Sequence, residues 1–317
     1  MIIYLEKQYK NNKIVKNILS YYKNARVLEI DNYKNIFDKN IRWKIEDILI
    51  LAWVNNAIIK APKNYWFDTE WYFVKNSLNC IYNCKYCYLK WAFKNNIKVI
   101  FVNYNTIKKQ IIDIVRDNKN KKITFYTSDY SDNLAIDNLT NFTLEFIPFF
   151  WSLTNNINME IRTKSINISN LLLLTITDNV EISFSVNPNI VIKKYEKKTP
   201  SLKLRIEAIN KLLLKWWNIW LRFSPLLWVN NYKEIYLDFI KEIKKQIDIN
   251  KINSFFVWWL LYTKKDYNKL LLKESDLDLL YKLKYSNGFY RNVDKENKWF
   301  YNMFKKEIWE TYFKCLD

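Results

Sequence analysis

Asn79-Cys80-Ile81-Tyr82-Asn83-Cys84-Lys85-Tyr86-Cys87-Tyr88-Leu89 carries three of the chain's four cysteines, spaced C-x3-C-x2-C. Cysteine thiolates hold iron–sulfur clusters. Three of them on one tight loop can bind three irons of a cubane and leave the fourth open. Metal catalysis requires an open position, whereas structural sites are closed. The competing reading is a structural zinc ion, which takes four ligands. The chain has no histidine, so the fourth ligand would have to be Cys315 or a carboxylate. Structural disulfides fit poorly with four cysteines in 317 residues and no secretory signal.

Upstream of the loop, Trp71-Tyr72-Phe73-Val74 is aromatic and β-branched and reads as a strand that delivers the chain to the cysteines. A loop at the C-terminal end of a strand is where barrel enzymes place their chemistry. Downstream the pattern alternates. Residues 99–103 read as extended, and 106–117 as a helix with Ile111, Ile112, Ile114 and Val115 on its apolar side. Residues 123–126 read as a strand ending in Thr127-Ser128-Asp129, and 139–153 as a helix that Pro148 kinks or ends. A strand at 159–162, a short helix at 168–174 and a strand at 180–186 follow. Residues 201–215 form a helix with Pro200 just before its N-cap, then come a strand at 219–223, a helix at 232–247 and a strand at 252–261.

Strands alternating with helices mean βαβ units and a parallel sheet. The expected class is α/β, with about six such units after residue 70 forming a partial (β/α)6 barrel. The expected organisation is an N-terminal extension over 1–70, the barrel over 71–262 and a charged, helical C-terminal extension over 263–317. Residues 1–70 are the least legible. Their stretches 14–22 and 43–54 mix helix-like and strand-like patterns, and Pro62 marks a break.

The chain carries 51 Lys and Arg against 32 Asp and Glu, a formal charge of +19. A basic balance attracts nucleic acid through phosphate contacts and counterion release. An AT-rich genome, which enriches Asn, Ile and Lys, produces the same balance without selection for binding. No apolar run approaches the ~18 residues of a membrane span. The N-terminus, Met1-Ile2-Ile3-Tyr4-Leu5-Glu6-Lys7, has charge where a signal peptide needs apolar residues. A cytoplasmic protein without a membrane partner is expected.

One glycine, Gly288, stands against 14 tryptophans, where average usage would supply roughly twenty glycines. Turns and left-handed positions need Gly. Several Trp fall where a turn is wanted, as in Lys215-Trp216-Trp217-Asn218-Ile219-Trp220. These observations lead to the expectation that some of the Trp are encoded by UGA and read as glycine in the source organism.

With these residues laid out, the chain resembles the radical S-adenosylmethionine enzymes, and within them the spore photoproduct lyase family and its lyase-like relatives. Cys84-Lys85-Tyr86-Cys87-Tyr88-Leu89-Lys90-Trp91 is similar to the family's C-x-Y-C-Y-L-Q-G, and Arg162-Thr163-Lys164-Ser165 to its R-T-K-S. Phe184-Ser185-Val186-Asn187-Pro188 resembles F-S-[IV]-N-P. Tyr195-Glu196-Lys197-Lys198-Thr199-Pro200 and Arg205-Ile206-Glu207-Ala208 resemble E-P-G-T-P and R-I-E-A. At Trp91, Trp216 and Trp220 the family has Gly.

The resemblance implies a [4Fe-4S] cluster on Cys80, Cys84 and Cys87, whose open iron binds S-adenosylmethionine. Electron transfer then yields a 5′-deoxyadenosyl radical that takes a hydrogen atom from substrate. It further implies that Ser128, Asp129, Lys164, Ser185 and Asn187 contact the cofactor. An ammonium such as that of Lys164 suits its carboxylate. Tyr86 and Tyr88 are implied as radical-relaying residues, the other reading being packing around the cluster. The family's hydrogen-donor cysteine precedes its T-S-D sequence, and here that position is Tyr126, included among the catalytic candidates. The implied partners are nucleic acid, in particular UV-damaged DNA, and an electron donor such as flavodoxin or ferredoxin. The alternatives are an RNA, peptide or small-molecule substrate, or a zinc-bearing nucleic-acid-binding protein without catalysis.

Overall fold

Apolar, β-branched runs buried on both faces build parallel sheet, and the N-terminal residues supply such runs. The computed structural model describes residues 1–39, 48–62, 69–153, 156–274, 278–292, 294–308 and 313–315. Trp43, at the start of the 43–54 stretch, and the side chain of Cys315 lie outside what is described. The chain forms two compact units, one of Met1–Ile81, Phe93–Thr163 and Asn167–Glu181, the other of Tyr82–Ala92, Lys164–Ile166 and Ile182–Asp317.

In the first unit a five-stranded sheet runs in the order Arg26–Ile30, Ile2–Glu6, Ile48–Ala52, Lys98–Phe101, Ser77–Leu78. All neighbours are parallel except the last pair. Every residue of Ile48–Ala52 is buried, as a central parallel strand demands. Between the first two strands the helix Lys13–Tyr21 buries Ile14, Val15 and Ile18, and the Asn12 side chain caps it by accepting the Ile14 and Val15 N–H groups. The stretch hardest to read in the sequence thus builds three strands of one sheet. Elsewhere in this unit Glu70–Val74 pairs in parallel with Ile123–Tyr126, which pairs in parallel with Ile157–Thr163.

The helix expected over 139–153 is broken, and not by Pro148. Short helices Asp137–Thr140 and Phe142–Trp151 meet at Asn141, whose φ is 51°, and Pro148 sits inside the second. Asn tolerates this left-handed conformation. The buried Asp137 carboxylate fixes the corner by accepting the Thr143 N–H at 2.9 Å and its hydroxyl at 2.5 Å.

In the second unit Asn218–Leu226 pairs in parallel with Ser254–Trp259, which pairs in parallel with Phe313–Cys315. Ser201 caps the helix Leu202–Leu213, its side chain accepting the Leu204 N–H. At the other end the Trp217 N–H donates to Leu212 O at 3.2 Å and the Trp216 N–H to Leu213 O at 3.1 Å. This is the Schellman pairing, whose left-handed residue is usually Gly. Trp216 occupies that place with φ 63° and is 75% exposed.

Beyond residue 262 the expected helices are present as Lys264–Lys273 and Asp294–Ile308. The segment is not purely helical, however. Leu261–Thr263, Phe289–Arg291 and Lys284–Ser286 form a three-stranded antiparallel sheet in that order. Its hairpin turns at Asn287-Gly288, with φ 50° and 84°, the pair of positive φ angles that a tight primed turn requires. Among the described residues no helix is long and apolar enough to cross a membrane.

Candidate active site

The cysteine loop is held first by backbone. Asn83–Cys84 forms a two-residue antiparallel ladder with Glu196–Lys197, placing Glu196 opposite Cys84. The Lys85 N–H extends the ladder by donating to Tyr195 O at 2.8 Å. The chain then turns, with the Cys87 N–H donating to Cys84 O at 3.1 Å, and enters the helix Leu89–Ala92. Residues from the C-terminal segment fasten this turn. The Tyr262 hydroxyl donates to Tyr86 O at 2.8 Å, the Trp91 indole N–H to Asp266 Oδ1 at 3.0 Å, and Lys90 pairs with Glu274. Cys84 is buried and Cys87 half-buried. Cys80, also half-buried, belongs to the first unit. It follows Asn79, which sits at φ 63° and anchors its side-chain amide on Asn95 O and Ile97 O.

Beside this loop lies a buried charged network that the sequence reading did not assign. The Glu196 carboxylate is fully engaged. Its Oε1 accepts the Tyr86 hydroxyl at 2.5 Å and the Asn187 amide at 3.0 Å, and its Oε2 accepts Arg205 Nη2 at 2.6 Å. The Arg205 guanidinium, with no exposed surface, also donates to Ser185 O, Pro200 O and Thr199 Oγ1. Burial alone would raise the Glu196 carboxyl. The charges of Arg205 and Lys164 and the hydrogen bonds from Tyr86 and Arg205 outweigh it and bring the value down to about 2.

The Lys164 Nζ lies 5.9 Å from the centroid of the Tyr86 ring. Burial works against its charge, but Glu196 and the Cys84 sulfur hold the ammonium above its ordinary value. Tyr86 is driven the other way. Burial, followed by the Glu196 charge, pushes its phenol well above the usual range.

Lys164, Asn187, Tyr86 and Cys84 are therefore members of one charged group, and Ser185 joins it through its carbonyl. The Asn187 Oδ1 is buried without a hydrogen-bond partner among the described residues, as is the Ser183 hydroxyl. The signal that could have found Glu196 and Arg205 was present, since both fall in motifs shared with the family. A buried Glu opposite a cysteine in a strand ladder, however, is visible only in three dimensions.

The remaining candidates lie in the first unit. Tyr126 ends the strand Ile123–Tyr126 and is buried with Ala61, Trp71 and Phe73. Phe73 meets its ring edge-on at 5.6 Å, and the Arg162 guanidinium lies 3.8 Å from its centroid. Arg162 is itself aimed by the buried Glu160, at 2.9 and 3.3 Å. Ser128 and Asp129 are half-buried, and the Ser128 hydroxyl has no partner among the described residues. Thr163 at the end of its strand donates to Asp132 at 2.8 Å.

Among the described residues no three Cys, Asp or Glu side chains are gathered as a metal cage. The fit to a cluster comes from chemistry instead. Soft thiolate donors suit iron–sulfur clusters. The Lys164 ammonium, which Glu196, Cys84 and Cys87 favour electrostatically, sets a cation beside the turn that suits an anionic group.

A family model for spore photoproduct lyase matches residues 64–273. The spore photoproduct lyase of Clostridium acetobutylicum is 26% identical over 169 residues, covering 53% of this chain and 50% of that protein. That of Bacillus subtilis is 25% identical over 191 residues, 57% of this chain and 56% of that protein. The matched stretches span about half the length of these relatives. Among solved structures, a doubly substituted spore photoproduct lyase with bound AdoMet and dinucleoside spore photoproduct superposes with a TM-score of 0.81 at 18% identity. That match covers 98% of this chain and 97% of the other. A spore photoproduct lyase complexed with dinucleoside spore photoproduct gives 0.82, also at 18%, over 99% and 98%. The fold is thus the α/β, partial (β/α)6 barrel type expected from the alternating pattern. With the family model spanning residues 64–273, the chain belongs to the spore photoproduct lyase family.

Proposed function

We propose that this protein is a radical S-adenosylmethionine enzyme acting on a lesion in DNA. The observation that carries the proposal is the pair Cys84 and Cys87 on a turn pinned beside Lys164, whose ammonium is held charged by Glu196 and Cys84. Cys80, Cys84 and Cys87 would hold a [4Fe-4S] cluster. Bound there with S-adenosylmethionine, the cluster would supply one-electron reduction and, through it, radical hydrogen abstraction from substrate.

The chain's own residues do the rest. Lys164 offers a charge-assisted contact to a carboxylate. Ser128 and Asn187 offer buried polar atoms that lack a partner among the described residues. The network around Glu196 keeps this charge pattern fixed. The +19 charge supports a nucleic-acid substrate through phosphate contacts, and an electron donor such as flavodoxin or ferredoxin completes the cycle.

Tyr126 favours a second reading of the substrate. It stands where the lyases carry their donor cysteine, and its ring is packed under Arg162. Hydrogen return to the substrate therefore follows a different route from the cysteine one, which supports a lesion other than spore photoproduct. The test uses anaerobically reconstituted protein with S-adenosylmethionine, dithionite and either UV-irradiated DNA, dinucleoside spore photoproduct or undamaged DNA. 5′-Deoxyadenosine is quantified by chromatography. Release stimulated by irradiated DNA is expected. Stimulation by the dinucleoside as well, with thymine product, would remove the second reading. No release from protein carrying four irons would overturn the proposal.

A further inference from the structure

The Tyr86 hydroxyl donates to Glu196 Oε1 at 2.5 Å, with the two residues 7% and 2% exposed. We infer that Tyr86 and Glu196 are positioning residues that set the shape of the Cys84–Cys87 turn. The inference rests on the proposed cluster site for its catalytic meaning, but the geometry stands in the protein alone.

Four anchors meet on this turn. The ladder sets Glu196 opposite Cys84, the Lys85 N–H reaches Tyr195 O, the Tyr86 side chain reaches Glu196, and the Tyr262 hydroxyl holds Tyr86 O. Backbone and side chain of the central residue are therefore fixed from two sides. The anchor is itself hydrogen-bonded on both carboxylate oxygens. Arg205 and Asn187 occupy the rest of the Glu196 carboxylate, and Arg205 is held in turn by Ser185, Thr199 and Pro200. Such partners around a ligand loop orient the ligands they hold.

The Tyr86–Glu196 hydrogen bond thus ties the middle of the motif to the buried network. Its loss should loosen the turn while leaving the remainder of the fold in place. It also distinguishes Tyr86 from Tyr88, which is 37% exposed.

The test is amide hydrogen exchange on the cluster-free protein, full length, wild type against Tyr86→Phe. In the wild type the Lys85 and Cys87 amides should exchange at least ~100-fold more slowly than in an unstructured chain, as expected of native hydrogen-bonded amides. In Tyr86→Phe they should exchange about tenfold faster, the effect of losing a hydrogen bond to a charged acceptor. The amides of the helix Tyr104–Asp117 should stay unchanged. After reconstitution the variant should lose iron to a chelator about tenfold faster and show an altered EPR line shape for the reduced cluster, reflecting the same lost bond.

Unprotected amides in the wild type, or unchanged exchange in the variant, would overturn the inference. Should Tyr86→Phe fail to fold, Tyr262→Phe removes the opposite anchor and must give the same local loosening. Wild-type protein that binds no iron yet shows protected amides would sink the proposed function and leave this inference standing. Normal iron with unmoved exchange would do the reverse.

Discussion

Glu6 and Glu196 are nearly equally buried, at 3% and 2% exposure, and their carboxyl groups behave in opposite ways. Glu6 ends the strand Ile2–Glu6 in the first unit and accepts the backbone N–H groups of Tyr33 and Trp53, each at 2.8 Å. Burial dominates there, and the two hydrogen bonds do not offset it, so its value is raised. Glu196 in the second unit meets Arg205 and Lys164 and falls to about 2. Depth alone therefore does not decide whether a carboxyl is held charged or neutral. Glu6 is an acceptor that ties two loop ends to a strand, whereas Glu196 is a charge kept ionised among cations beside two cysteines. Burial combined with specific charge partners is what makes Glu196 the candidate of the two.

The largest test of this contrast removes a cation. Arg205→Met strips Glu196 of its direct partner and should cost about 3–5 kcal/mol, the usual result of breaking a buried pair from one side. Urea unfolding of the cluster-free protein measures it, and a loss of under ~1 kcal/mol, no more than an exposed pair contributes, would mean that Lys164 alone suffices. Glu6→Gln should cost only about 1 kcal/mol, because one backbone N–H loses its acceptor while a buried charge disappears.

Acid titration sharpens the comparison by sign. Glu196 is depressed, so its stabilisation is complete above its ordinary value of 4.5 and is lost as pH falls towards about 2. Glu6 is raised, so its ionised form opposes folding at neutral pH, and that penalty is relieved as pH falls through its folded-state value. Stability measured from pH 5 downward should therefore flatten in Glu196→Gln and steepen slightly in Glu6→Gln. Identical acid limbs in the two variants would erase the distinction.

The smallest expected effect concerns a turn. Trp216→Gly should stabilise the cluster-free protein by roughly 1 kcal/mol, because a left-handed non-glycine residue carries a penalty of about 1–2 kcal/mol. Thermal melting reads this out. Little packing is lost, since the indole is 75% exposed and has Lys251 Nζ 5.5 Å from its ring.

Much of the architecture was legible because period and punctuation agreed. The strand at 123–126, the helix at 232–247 and the Ser201 cap all follow from local pattern, and each appears within a residue or two. Asn287-Gly288 announced a hairpin equally plainly, but the lysine-rich surroundings of that segment masked it as helix. The break at Asn141 escaped because it depends on Asp137 reaching Thr143, a contact no periodicity encodes. The cysteine motif was visible in the sequence by its spacing, and Cys84 and Cys87 lie on one turn. The Glu196–Arg205 pair stayed hidden because nine residues separate its members, and its purpose shows only once Cys84 lies opposite Glu196 across two short strands.

The left-handed backbone at Trp216 reaches beyond conformation into how this protein must be made. Its φ of 63° lies in the left-handed region that glycine favours, and the gene is expected to carry UGA at that codon. A laboratory host that reads UGA as stop would then release a shortened chain lacking Glu274 and Tyr262, two of the residues that fasten the cysteine turn. Sequencing the codon, followed by synthesis of a recoded gene, is accordingly the entry point to any preparation in which cluster chemistry can be measured. A UGG codon there would instead mean that the protein tolerates a strained turn in its natural form.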